Sequence, residues 1–91
     1  MRFMVIERFR GPESVRAVYQ RFREQGRLMP EGLSYVESWI EPNFHRCFLI
    51  AECSDARLIQ EWVLRWHDLI DFEVVPVVGS KETAELVAAS G

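Results

Sequence analysis

Two hydrophobic periods alternate along the chain, and their order constrains the fold more than any single motif. Arg2 to Phe9 is a short apolar run of β-formers, ended by Gly11-Pro12. Val15, Val18, Tyr19 and Phe22 then recur at i, i+3, i+4 and i+7, the stripe of an amphipathic helix. Pro12 suits the first turn of that helix and Gly26 its end. After the loop Leu28-Met29-Pro30-Glu31-Gly32, Leu33 to Glu41 reads as a strand. Pro42-Asn43 marks a turn, and His45 to Cys53 reads as the next strand, so the two form a hairpin. Ser54 or Asp55 caps a second helix that carries Leu58, Ile59, Trp62, Val63 and Trp66. Asp71 to Val78 is the last β-rich run.

The predicted order is therefore βαββαβ. With right-handed crossovers it folds as a ferredoxin-like α+β domain: an antiparallel sheet in the order 4-1-3-2 with two helices on one face. Pro76 supports this independently, because a proline cannot donate to a ladder and the order puts its strand at an edge. Residues 1–79 make the single domain, and the Ala-rich stretch 80–91 is a short helix or a mobile tail.

Composition matters here through size. A chain of 91 residues makes one domain, and such a domain buries only about 60% of its unfolded surface. Yet 48% of the residues are hydrophobic and 12% aromatic, so part of that surface calls for a second copy. No apolar run approaches the roughly 20 residues of a membrane helix and no signal peptide opens the chain, which points to the cytoplasm. Cys47 and Cys53, on one strand, are too far apart for an internal disulfide and lack a ligand cluster for zinc. Residues 1–30 hold seven Arg against three Glu, a net of +4, and the remainder is net negative. Arg16, Arg23 and Arg27 read as a solvated helix face. The acidic total and the lack of spaced aromatics in Arg46-Cys47-Phe48-Leu49-Ile50 argue against an RNA-recognition module.

A turn around Pro42-Asn43 with paired residues summing to 85 puts Ser34, Val36, Ser38, Ile40, Cys47, Leu49 and Ala51 on the helix-covered face. Tyr35, Glu37, Trp39, Arg46, Phe48, Ile50 and Glu52 then share the open face, with Phe3, Val5 and Glu7 beside them. An aromatic face of this kind marks an interaction surface, and a homodimer packed open face to open face covers it. Tyr35, Glu37, Trp39, Arg46 and Phe48 are the candidate lining of a ligand cavity in the resulting barrel. Glu7, Glu37 and His67 are the candidate acid/base groups, since a carboxyl in an apolar cavity has a raised pKa. His67 has a second reading as a favourable charge at a helix end, and a third as a haem ligand. His45 reads as an exposed turn residue, and Trp62 and Trp66 as core. There is no phosphate loop, nucleophile elbow or His-x-x-Glu-His pattern, so no cofactor or metal is expected.

The runs Met4-Val5-Ile6-Glu7, Gly26 to Leu33, Tyr35-Val36, Ser38-Trp39, Arg46-Cys47-Phe48, Glu61-Trp62, Arg65-Trp66 and Phe72 to Val77 resemble domain-of-unknown-function family 3303. The resemblance covers the chain before the Ala-rich stretch. It implies the architecture of the dimeric α+β barrel superfamily and transfers no catalytic residue. Two functions are carried forward. One is a homodimer that binds a small organic molecule in the barrel interior, as a candidate cofactor-free enzyme. The other is a non-catalytic dimeric binding or assembly module with a filled core.

Overall fold

A computed structural model describes residues 1–91. The chain folds as β1 (Arg2–Phe9), α1 (Pro12–Gln25), β2 (Ser34–Ile40), β3 (Arg46–Glu52), α2 (Arg57–Leu64), β4 (Ile70–Val77) and α3 (Ser80–Ala89). It is an α+β structure with one four-stranded antiparallel sheet. The strand order is β2-β3-β1-β4, which is 4-1-3-2 read from the opposite edge. Pro76 sits on the edge strand β4. No helix is long and apolar enough to cross a membrane.

The helices begin and end where local chemistry permits. Pro12 occupies the first turn of α1, where its missing N–H costs nothing. Gly26 ends the helix at φ 73°, and its N–H donates to the Phe22 carbonyl. At the start of α2 the Asp55 carboxylate accepts from the Arg57 N–H at 3.0 Å. That helix ends at Leu64, so Trp66 and His67 fall in the turns after it. The Ala-rich stretch is a third helix, and every residue of it is exposed. It projects from the body, and the molecule reaches 52 Å along its longest axis.

The core lies between the sheet and α2. Phe3, Val5, Leu49, Ala51, Ile59, Trp62, Trp66 and Ile70 are all buried there. Trp62 meets Phe72 edge to face at 5.5 Å. Helix α1 sits more loosely: none of its residues is buried, and Tyr19 and Phe22 on its apolar stripe stay partly exposed. The amphipathic stripe of this helix is thus only partly covered within one chain.

The register corrects the face assignment in two places. Across β1 and β3, Phe3, Val5 and Glu7 stand opposite Ala51, Leu49 and Cys47. These residues share the helix-covered face, so the odd positions of β1 point inward and not to the open face. In the hairpin, Trp39 pairs with Phe48 and Glu37 with Ile50, two residues away from the expected register. A shift of two keeps the parity, so Trp39, Glu37, Phe48 and Ile50 do share the open face. A β-bulge between Tyr35 and Glu37 then reverses the parity. Tyr35 stands opposite Ala51, on the helix-covered side, and Ser34 stands opposite Glu52, on the open side. Val36, the extra residue, is exposed.

Candidate functional site

Reversing β1 carries Glu7 from the open face into the interior. It becomes the one charged residue in the core, 8% exposed. Its place follows from the fold: it is one turn of the pleat beyond Val5, under the loosely seated α1. Because α1 does not close down on the sheet, a cavity of about 100 Å³ remains between them. Glu7, Cys47 and Ser38 form its floor on the sheet, Tyr19 and Phe22 its roof on α1, and Trp62 and Trp66 one wall.

No cation comes within ion-pair distance of Glu7, unlike seven of the other acidic residues. Burial is what acts on it most, and the carboxyl is pushed up from 4.5 to about 7. The Cys47 thiol across the ladder and the field of Arg27 favour the charged form and only partly offset this. The thiol responds in kind. Burial, then the neighbouring carboxylate, push Cys47 up to about 12. It stays protonated through the neutral range and is a hydrogen-bond donor there, not a nucleophile. Tyr19 is also raised, by burial first and then by Cys47 and Glu7. The cavity thus holds a carboxyl poised to gain or lose a proton near neutrality, beside the neutral Cys47 thiol and with Arg27 also in the lining.

The fourth side is the turn Gly26-Arg27-Leu28. It is tightly held. The Arg27 carbonyl accepts from both indoles, Trp62 Nε1 at 2.9 Å and Trp66 Nε1 at 2.8 Å. Arg65 donates to the Leu28 carbonyl at 2.7 Å, and Leu28 is kept at φ 59°, a conformation that a branched side chain avoids. Trp62 and Trp66 are therefore core residues, as expected, with a second task of fixing this turn. Trp66→Phe removes one donor and is expected to cost about 2 kcal/mol in urea denaturation. An unchanged midpoint would show that other contacts hold the turn.

The remaining expected site residues are placed elsewhere. Tyr35 is at the rim of this cavity: its hydroxyl lies 2.8 Å from Ser38 Oγ and its ring 3.7 Å from the Arg27 guanidinium carbon. Glu37 curls back to accept from the Ser38 N–H on the edge strand. Trp39, Phe48 and Arg46 are on the open face, where Arg46 pairs with Glu41 at 2.8 Å and lies over Phe48, not beside Glu37 or Trp39. Glu52 is bound by Arg2. His67 is exposed on the turn after α2, away from the cavity lining. His45 is exposed in the hairpin turn. Cys47 and Cys53 are both free thiols.

Arg27 and Cys47 are the site residues that the sequence reading missed as such. Arg27 looked like one more base at a helix end, but it lies two residues beyond the helix, in a turn whose left-handed backbone aims it back over the sheet. Cys47 was placed on the helix-covered face, yet its significance depended on Glu7 being opposite.

These features define an α+β domain with its open sheet face apolar and an ionisable cavity under its first helix. Residues 1–91 match the model of a family described as "Domain of unknown function", DUF3303, and the chain belongs to that family. The match runs through α3, so the C-terminal helix is part of the family pattern. Comparison with curated proteins and with solved structures gives no match.

Proposed function

We propose that two copies of this chain pack through their open sheet faces as a ferredoxin-like, dimeric α+β barrel. In this reading each copy holds a small organic molecule in its own cavity between sheet and α1, with Glu7 as the proton-transfer group of a cofactor-free enzyme. The observation that carries the reading is a nearly buried carboxyl on a cavity, with no cation paired to it. A purely structural carboxylate at such a site would be neutralised by an ion pair or replaced by an apolar residue, because burying it unpaired is costly. A base that works near neutral pH needs the opposite arrangement. The ligand site therefore moves from the barrel interior, where Tyr35, Glu37, Trp39, Arg46 and Phe48 were expected to line it, to the other side of the sheet.

The open face supports the assembly half. Across its centre run Trp39, Phe48 and Ile6 in one row and Ile50, Met4 and Val75 in the next. Trp39 is 56% exposed, which is unfavourable for a lone chain in water. The charges around the rows are mutually paired, Arg2 with Glu52, Arg8 with Glu73 and Arg46 with Glu41. Glu37, at the edge of the second row, has no such cation and accepts from the Ser38 N–H; the rest of the surface is apolar with paired charges around it, which suits an interface better than a pocket. The two free thiols fit a reducing, cytoplasmic setting.

The test uses Trp62 and Trp66 as built-in reporters. A screen of molecules small enough for the cavity is expected to yield saturable changes in tryptophan fluorescence. Val18→Trp, which fills the cavity without touching a charge, should abolish them. If no compound perturbs the wild-type protein, or if Val18→Trp binds as well as wild type, the cavity is not a ligand site.

A further inference from the structure

The cavity has a cationic side as well as an acidic one. Three arginines of the chain are half-buried, Arg21, Arg27 and Arg46. Arg21 is held by Asp68 at 2.7 Å and Arg46 by Glu41 at 2.8 Å. Arg27 has no ion pair. Its guanidinium carbon lies 3.7 Å from the centre of the Tyr35 ring and 4.9 Å from that of Phe22. Ring faces hold a guanidinium in position and leave its N–H fork without an acceptor, which is the state in which it takes a planar anion bidentately. The backbone beneath it is fixed by two indole donors and a strained turn, so the position is built and not a matter of a loose surface side chain.

Glu7 and Arg27 both line the cavity, yet they are not within ion-pair distance of each other. Arg27 acts on Glu7 only through its field. The gap between them is where the ligand fits. The volume is small, about 100 Å³, in scale with a short-chain carboxylate.

Resting on the reading of the cavity as a ligand site, we infer that Arg27 is its anion-recognition group and that the ligand is a small organic carboxylate, its charged end on the Arg27 guanidinium and its remaining atoms directed at Glu7. The division of labour is then clear. Arg27 supplies orientation and charge recognition, the rings of Tyr35 and Phe22 keep the guanidinium flat against the mouth, and Glu7 meets the part of the ligand that gives or takes a proton. A neutral amide of the same shape fills the volume but offers the guanidinium a single acceptor oxygen and no charge.

Propanoate and propanamide separate these contributions, being nearly the same size and differing in charge. Their binding is read by tryptophan fluorescence in the wild-type protein, Arg27→Met and Arg27→Lys, with circular dichroism confirming that each variant is folded. Propanoate is expected to bind the wild type at least tenfold more tightly than propanamide. Arg27→Met should remove that preference by weakening propanoate far more than propanamide, and Arg27→Lys, which keeps the charge but loses the planar fork, should restore part of it. Equal binding of the two compounds by the wild type, or an undiminished preference in Arg27→Met, overturns the assignment of Arg27 and leaves the cavity as a site for neutral molecules. If neither compound binds, while the screen finds other compounds that Val18→Trp excludes, the carboxylate assignment alone falls. If nothing binds in either experiment, the cavity reading falls with it.

Discussion

Glu7→Gln raises the midpoint of thermal unfolding by on the order of 10 °C at pH 8 and by only a few degrees at pH 5. The expectation follows from where the carboxyl titrates. Below 4.5 the group is protonated in both the folded and the unfolded chain, and its burial adds no pH dependence. Between 4.5 and about 7 the unfolded chain ionises and the folded one does not, so stability falls as pH rises. Above about 7 both are ionised, and the folded state carries the full penalty of an unpaired buried charge. That penalty is about 3 kcal/mol. Glutamine has the same shape and no charge, so it resembles the protonated acid at every pH. Thermal melts of both proteins across pH 5 to 8 check this. A variant that is less stable than wild type at pH 8 would mean that the carboxylate makes compensating bonds. The same substitution should abolish any proton-transfer activity, so that a gain in stability and a loss of function arise from one atom pair.

Trp39→Asp and Phe48→Asp are each expected to convert the proposed dimer to a monomer at micromolar concentration. The two residues face each other across β2 and β3 at the centre of the open face. In a two-fold dimer every substitution occurs twice, so each variant places two carboxylates in a desolvated apolar layer with no new cation to meet them. The cost is several kcal/mol per charge, and the dissociation constant should rise by at least about 10³. Light scattering should give twice 10.7 kDa for the wild type and 10.7 kDa for either variant. Because the cavity lies on the opposite side of the sheet, the folded monomers should keep their ligand response. A wild-type protein that is monomeric at these concentrations would remove the dimer from the account and leave Trp39 exposed without a reason.

Much of the fold was legible because periodicity and proline carry it. The alternation of strand and helix stripes gave six of the seven elements, and Pro76 pointed independently to the edge position of β4. The Ala-rich stretch could be read only as helix or tail, since it has no apolar stripe to bury. What the sequence could not set was the parity of each strand. Arg2 to Phe9 has apolar residues at both odd and even positions, Phe3 and Val5 on one side and Met4 and Ile6 on the other. Both faces of this strand are covered or await cover, so alternation alone does not say which is inside. The same ambiguity hid the bulge at Val36, because Tyr35 and Val36 are equally good β-formers. One strand read the wrong way round moved Glu7 to the wrong face and with it the whole candidate site. The clue in the sequence was Cys47. A small thiol, on a strand face otherwise aliphatic, left room for a larger neighbour, and Glu7 is the one polar residue at an odd position of β1.

The central claim is that Glu7 is a buried carboxyl that changes its protonation near neutral pH at the floor of a cavity. The direct measurement is the chemical shift of its side-chain carboxyl carbon, followed by NMR in glutamate-labelled protein from pH 3 to pH 10, with Glu7→Gln assigning the resonance. A titration with its midpoint near 7 is the predicted result. A midpoint near 4.5 would show an ordinary, solvated carboxylate, and neither the cavity chemistry nor the pH-dependent stability could then stand.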